Sequence, residues 1–257
     1  MIFYFSGTGN TKWAAKLLAE VLHDRLLFIP EELKGSCRYT LSPDERIGFC
    51  FPTHGWQPPH IIRTFISKLQ LTNSKGHYCY ALTTCGDSIG QAMEILNNDL
   101  QKANLPTAKS TFSLIMPESY VCLPFMHTDN PERENEKIET SKVQLSEYIS
   151  LIEGRTEGLS LTVKGVLPWL MSYVIGNYFN KKMVTDKKFT VDNNSCIHCG
   201  LCQKVCPTRD IVFDGNNPSW KHDGSCTSCL ACYHHCPQHA INFGSITKKR
   251  GQYYFGH

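Results

Sequence analysis

Eight of the chain's 13 cysteines stand in two copies of one spacing near the C-terminus, Cys196-x2-Cys199-x2-Cys202-x3-Cys206-Pro207 and Cys226-x2-Cys229-x2-Cys232-x3-Cys236-Pro237, each position of the second lying 30 residues after its counterpart. A [4Fe–4S] cube needs four thiolates around one small object. Three cysteines at x2 intervals supply three of them from a tight turn, and the fourth arrives from elsewhere. The spacing therefore predicts two [4Fe–4S] clusters with exchanged ligands: Cys236 completes the set of Cys196, Cys199 and Cys202, and Cys206 completes that of Cys226, Cys229 and Cys232. The exchange ties both motifs into one unit and holds the clusters a short, fixed distance apart. Zinc ribbons also use Cys-x2-Cys pairs, but a four-thiolate zinc site takes two pairs, whereas each run here has three evenly spaced cysteines followed by Cys-Pro.

The repeat extends beyond the cysteines. Ile211 and Phe213 recur as Ile241 and Phe243, which predicts a short apolar strand after each cluster loop. This segment, residues 186–245, resembles the bacterial-type two-cluster ferredoxins, a small α+β fold. Sixty residues bury little core, so the clusters themselves are expected to supply much of the folding energy. His198, His234 and His235 lie between cysteines whose clusters already have four sulfurs, and they are expected to be supporting or exposed residues.

A second signal opens the chain. Met1–Phe5 reads as a buried parallel strand, and Ser6-Gly7-Thr8-Gly9-Asn10-Thr11 leads into a helix whose apolar face includes Trp13, Ala14, Leu17, Leu18 and Val21. Strand, glycine- and hydroxyl-rich loop, then helix start make a phosphate cradle of backbone N–H groups and a positive helix end. Lys12 stands where a dinucleotide fingerprint needs its third glycine, and no G-x4-G-K-[ST] run exists. A hydroxyl-rich loop of this length suits the terminal phosphate of a mononucleotide. It resembles the phosphate loop of flavodoxins, whose ligand is FMN.

Strand-like runs at 25–29, 46–51, 77–83 and 111–116 alternate with helical patterns at 60–69, 89–104 and 131–152. That alternation predicts a parallel sheet covered on both faces. The stretch 30–44 is too short and too broken for a full crossover helix. The expected architecture is an α/β flavodoxin-like doubly wound parallel sheet over residues 1–154, an apolar helical connector at 155–185, the ferredoxin-like unit at 186–245 and a basic tail at 246–257. In such a sheet the ligand lies beyond the carboxyl ends of the strands. The resemblance carries the flavin-sandwiching role to the later loops, so the expected FMN contacts are Ser6, Gly7, Thr8, Gly9, Asn10 and Thr11, then Pro52, Thr53, His54, Gly55 and Trp56, then Thr83, Thr84, Cys85, Gly86 and Asp87. Asp87 is the one carboxylate in these loops. An anionic reduced flavin is therefore opposed less than in acidic flavodoxins, and the couple is expected to be less reducing.

Between the halves, 117–130 follows the last strand on the ligand side and is a candidate lid or partner surface. Residues 165–179 are apolar and aromatic but too short and too broken by Pro168, Gly176 and Asn177 to span a membrane, and they are expected to pack between the two units. Net charge is +3 overall, yet residues 181–257 hold ten basic against five acidic side chains. A basic cluster unit favours an acidic redox protein as partner. Nothing resembles a basic and aromatic nucleic-acid surface. The short apolar start before a polar loop is not a signal peptide, so a cytoplasmic setting with reduced thiols is expected. Cys50 and Cys79 read as small core residues, while Cys85 and Cys122 stand where a thiol near a flavin could react if its pKa were lowered.

Together these features resemble the flavodoxin–ferredoxin fusion proteins of anaerobes. The resemblance implies an iron–sulfur flavoprotein in which FMN handles two electrons and each cluster one. The expected function is FMN- and cluster-dependent reduction of a small organic substrate with electrons from a ferredoxin-like donor. The alternative is an electron carrier between redox proteins with no small-molecule substrate.

Overall fold

A computed structural model describes residues 1–257. The chain begins with strand β1 (Ile2–Tyr4), helix α1 (Asn10–Leu22), strand β2 (Leu26–Phe28) and the one-turn helix α2 (Ile29–Glu32). There follow β3 (Arg38–Thr40), β4 (Ile47–Pro52), α3 (His60–Lys68), β5 (Gln70–Thr72), β6 (Cys79–Cys85), α4 (Ala92–Lys102), β7 (Ser110–Ile115), α5 (Pro131–Glu153) and β8 (Ser160–Leu161). Six strands form one wholly parallel sheet in the order β2-β1-β4-β6-β7-β8. β3 and β5 pair only with each other. Leaving that side ladder aside, the first five sheet strands run 2-1-3-4-5, the doubly wound order of the flavodoxin-like fold.

The central strands β1, β4, β6 and β7 are buried on both faces and therefore read as largely apolar runs. Their alternation still sorts side chains by face. Phe3, Phe5, Phe49 and Phe51 join the core under α3 and α4, while Ile2, Tyr4, Cys50 and Leu82 join the core under α1 and α5. Cys50 and Cys79 are fully buried core residues, as the strand pattern predicts. The broken stretch after β2 yields only the four residues of α2, because Pro30 starts a turn that Lys34–Gly35 ends.

The connector is helical from α6 (Pro168–Leu170) through two π-helical stretches, Met171–Gly176 and Phe179–Met183. The C-terminal unit adds β9 (Phe189–Val191), α7 (Leu201–Val205), β10 (Ile211–Phe213), β11 (Pro218–Trp220), α8 (Ala231–His234) and β12 (Ile241–Phe243), with antiparallel pairs β9–β12 and β10–β11. The two strands foreseen from the 30-residue repeat are β10 and β12. The repeat reaches the backbone too: left-handed residues occur as His198 and Ser228, Gly200 and Leu230, Arg209 and His239. Each pair is 30 apart, so both cysteine loops turn in the same way even where glycine is absent.

Two segments bind the units together. In the 117–130 loop Val121 and Cys122 are buried in the core of the C-terminal unit with Phe189, Ile211, Trp220 and Tyr233. The C-terminal residues cross back to the first loop: Tyr253 donates its hydroxyl to Asn10 Oδ1 (2.5 Å), Phe255 N–H donates to the Thr8 carbonyl (2.8 Å), and the Phe255 ring stacks on Trp13. The basic tail thus ends as a docked strap. No helix is long and apolar enough to cross a membrane.

Candidate functional site

Strands β1, β4, β6 and β7 end at one edge of the sheet, and their four following loops form most of the lining of a partly open cavity of about 220 Å³. Of the sixteen residues expected to touch FMN, fourteen line it: Ser6, Gly7, Thr8, Asn10, Thr11, Pro52, Thr53, His54, Gly55, Trp56, Thr84, Cys85, Gly86 and Asp87. Gly9 and Thr83 do not. Gly9 faces Phe255 at φ 103°, and Thr83 is sealed in β6, where its hydroxyl donates to the Phe51 carbonyl (2.8 Å).

The first loop fits a phosphate. Backbone N–H groups of Gly7 and Thr8 find no acceptor within the chain, while Gly9 N–H is satisfied by Ser6 Oγ (3.2 Å). Thr11 Oγ1 meets Thr84 Oγ1 at 2.7 Å, which fixes the helix start against β6. Unpaired N–H groups at the positive end of a helix are what an anion requires.

The second loop turns through Gly55 and Trp56, both left-handed at φ 54° and 57°. The connector clamps it. Ser172 Oγ donates to the Trp56 carbonyl (2.9 Å), Gln57 Nε2 donates to the Ser172 carbonyl (2.6 Å) and to Asn177 Oδ1 (2.9 Å), and Asn180 Nδ2 donates to the His54 carbonyl (3.2 Å). A Cβ on Gly55 would stand 2.6 Å from the Phe179 ring, so only glycine lets that ring close over the loop. Burial lowers the His54 pKa to about 4, leaving its imidazole neutral.

Sequence reasoning placed Asp87 as the only carboxylate here, and the lid adds a second. Glu118 lines the cavity, is held by donated N–H groups of Ser119 (3.0 Å) and Tyr120 (2.8 Å), and occupies the room that Gly86 leaves by having no Cβ. Burial raises its pKa, against the opposing pull of those N–H groups and of Lys137. Lys137 Nζ bridges the Gly86 carbonyl (3.0 Å) and Asp129 (2.6 Å), fastening the lid to the third loop. Burial pushes the Cys85 and Cys122 thiols up to about 12, so neither is an activated nucleophile.

The remaining wall comes from the other unit. Ser228 and Cys229 line the same cavity, and Gly7 packs against Cys229 so closely that a Cβ there would lie 2.6 Å from the Cys229 Cβ. No sequence signal foretells this, since it depends on how the two units dock.

The eight motif cysteines gather in two groups that mix the motifs. Cys196, Cys199, Cys202 and Cys236 line one small recess. Cys206 lies near enough to Cys226, Cys229 and Cys232 to raise their thiol pKa values, after the larger effect of burial. Matching N–H groups serve the sulfurs: Asp210 N donates to Cys206 Sγ (3.3 Å) and Ala240 N to Cys236 Sγ (3.2 Å), again 30 residues apart. Burial holds Cys202 and Cys229 up at about 11, so cluster assembly at neutral pH must expel their protons. Cys199 is exposed, whereas Cys232 is buried and Cys229 lines the cavity, so the first group lies nearer solvent and the second nearer the cavity. His198 is exposed and reaches the Asn216 carbonyl. His234 is buried and neutral, accepting at Nδ1 from Tyr253 N–H (3.0 Å) and donating from Nε2 to the Ser119 carbonyl (2.6 Å).

Residues 188–237 match the 4Fe-4S dicluster domain. An uncharacterized ferredoxin of Methanocaldococcus jannaschii is 33% identical over 63 residues, covering 23% of this chain and 82% of that protein. By that segment the chain belongs to the 4Fe–4S dicluster ferredoxins. A ferredoxin of Pyrobaculum islandicum is 31% identical over 75 residues, 27% of this chain and 70% of its own length. The iron-sulfur subunit ArrB of the Shewanella sp. (strain ANA-3) arsenate respiratory reductase is 33% identical over 67 residues; the match takes in 25% of this chain and only 29% of that subunit. The two-cluster ferredoxin segment is an iron–sulfur electron-transfer domain. Among solved structures, rubredoxin oxygen:oxidoreductase of Desulfovibrio gigas is similar with a TM-score of 0.32 and 14% identity, over 60% of this chain and 36% of its own.

Proposed function

We propose that the chain is an iron–sulfur flavoprotein of the flavodoxin–ferredoxin fusion type, with units at 1–154 and 186–245 joined by the connector at 155–185. Cys196, Cys199, Cys202 and Cys236 would hold an outer [4Fe–4S] cluster, and Cys206, Cys226, Cys229 and Cys232 an inner one. The cavity would hold FMN, its phosphate on the Gly7 and Thr8 N–H groups and its ring between the 52–56 and 84–87 loops. When bound, FMN supplies exchange between paired and single electrons, and the clusters supply single-electron steps.

The observation that carries this reading is Cys229 in the wall of the cavity, touching Gly7. A thiolate ligand that is also a flavin neighbour leaves no protein layer between the two redox sites. Exposed Cys199 marks the entry side, where an acidic redox protein meets the basic unit.

The chain's own groups do the rest. The Thr11–Thr84 contact and the Ser172–Trp56 bond fix the loops around the cavity; Phe179, Tyr120 and the lid exclude water. Neutral His54 offers no positive charge to the cavity, while Glu118 can keep a proton there at a higher pH than an exposed carboxyl. A roof over the cavity favours reduction of a small organic substrate over the alternative of a carrier serving only proteins. The test is anaerobic: chemically reduced protein, freed of reductant, is mixed with candidate organic acceptors and no partner protein. Reoxidation with stoichiometric product supports the oxidoreductase, and reoxidation only by redox proteins supports the carrier.

A further inference from the structure

The connector helix is held by one side only. Its inner residues Ser172, Gly176 and Phe179 are buried against the cavity loops, whereas Val166 and Leu167 just before it and Trp169, Val174, Ile175 and Tyr178 on it are exposed, Val166 at 84% and Tyr178 at 64%. Of the chain's fifteen exposed large apolar side chains, eight lie between Val163 and Tyr178. Scattered exposed apolar residues are ordinary, but this many on one short element make a patch that calls for a covering surface.

Within the segment the charge has one sign. Between Glu157 and Asp186 the sequence holds no carboxylate, only Lys164, Lys181 and Lys182. Lys164 is neutralised by Glu94, while Lys181 and Lys182 are exposed in the last turn of the helix. A helix with an apolar face, an aromatic residue toward each end and lysines beside it has the composition of an interfacial helix that lies flat in the headgroup layer. Its 16 residues from Pro168 to Met183 would reach about 24 Å, short of a span.

We propose that this outward face docks on an anionic lipid surface. Val166, Leu167, Trp169 and Val174 would enter the acyl boundary, Tyr178 would sit among headgroups, and Lys181 and Lys182 would meet lipid phosphates. A second copy of the chain is the less fitting occupant. It would bring two more lysines to the same apolar seam, with no carboxylate in the segment to offset them. The proposal does not depend on the flavin, and it puts the roof of the cavity beside the bilayer.

The test is co-sedimentation of the full chain with vesicles of phosphatidylcholine alone or with ~30% phosphatidylglycerol, at low and high salt. Wild type is expected to pellet with the anionic vesicles, less so at high salt, and to stay in solution with neutral ones. Val166→Ser with Trp169→Ser, and separately Lys181→Glu with Lys182→Glu, are expected to cut binding at least tenfold; all four sites are exposed, and unchanged circular dichroism checks the fold. Failure of wild type to bind anionic vesicles overturns the proposal, as does binding of both variants at the wild-type level. A chain that binds no vesicles but dimerises, and becomes monomeric in the Val166→Ser, Trp169→Ser variant, also overturns it and assigns the face to a second copy.

Discussion

Gly7 and Cys229 are 222 positions apart in the sequence, yet a Cβ on Gly7 would stand 2.6 Å from that of Cys229. The first loop of one unit and a motif cysteine of the other thus form a single wall. Gly7→Ala forces the two units apart at that point. Overpacking of this kind costs about 1–3 kcal/mol. The expected outcome is a loss of that much unfolding free energy in urea together with weaker FMN retention, and unchanged values for both would show that the contact is looser than described.

Replacing cysteines separates the two clusters. Cys199→Ala and Cys229→Ala should each remove one cluster and so about half of the iron. Only Cys229 lines the cavity. Cys229→Ala is therefore expected to raise the FMN dissociation constant about tenfold, roughly 1.4 kcal/mol, and to change the visible circular dichroism of the flavin, while Cys199→Ala changes neither. Equal effects of the two variants would contradict the inner and outer assignment.

Glu118 gives a pH dependence with a definite sign. Burial raises its folded-state pKa above the value it has in the unfolded chain. The folded state then binds the proton more tightly, so the stabilisation is complete below the unfolded value of about 4.3 and is lost as pH rises through the raised one. Glu118→Gln keeps an acceptor for the Ser119 and Tyr120 N–H groups but cannot ionise. Urea midpoints of cofactor-free protein between pH 4 and 8 should fall more steeply for wild type than for the variant; parallel curves would mean that Glu118 titrates like a surface carboxyl.

Phe179 closes the roof from the connector, packing on Gly55 and against Tyr120 with ring centroids 5.2 Å apart. Truncation of a buried phenylalanine costs about 3 kcal/mol. Phe179→Ala is expected to lose that much stability and to release FMN faster, measured as the rise in flavin fluorescence after dilution. A variant that is less stable but releases flavin at the wild-type rate would leave the ring a packing role alone.

Much of this arrangement is legible in the residues because it obeys local rules. The strand, loop and helix of 1–22 and the 30-residue cysteine repeat are set by short-range spacing, and β10 and β12 fall where Ile211, Phe213, Ile241 and Phe243 put them. The loops at the carboxyl ends of parallel strands follow from the handedness of the fold. Glu118, Phe179 and Cys229 escape such rules, because each reaches the cavity through a long-range contact. The apolar stretch 165–179 illustrates the limit: its composition suggests a buried spacer, but only Ser172, Gly176 and Phe179 are buried, and Trp169 and Tyr178 face out. Apolar content foretells a need for cover without saying what supplies it.

The proposed function requires one flavin and two cubes in this chain. Anaerobic purification followed by counting iron, acid-labile sulfide and FMN per chain tests it most directly. About eight irons, eight sulfides and one FMN per chain are expected. Colourless protein, or protein holding only zinc and no flavin, would contradict it.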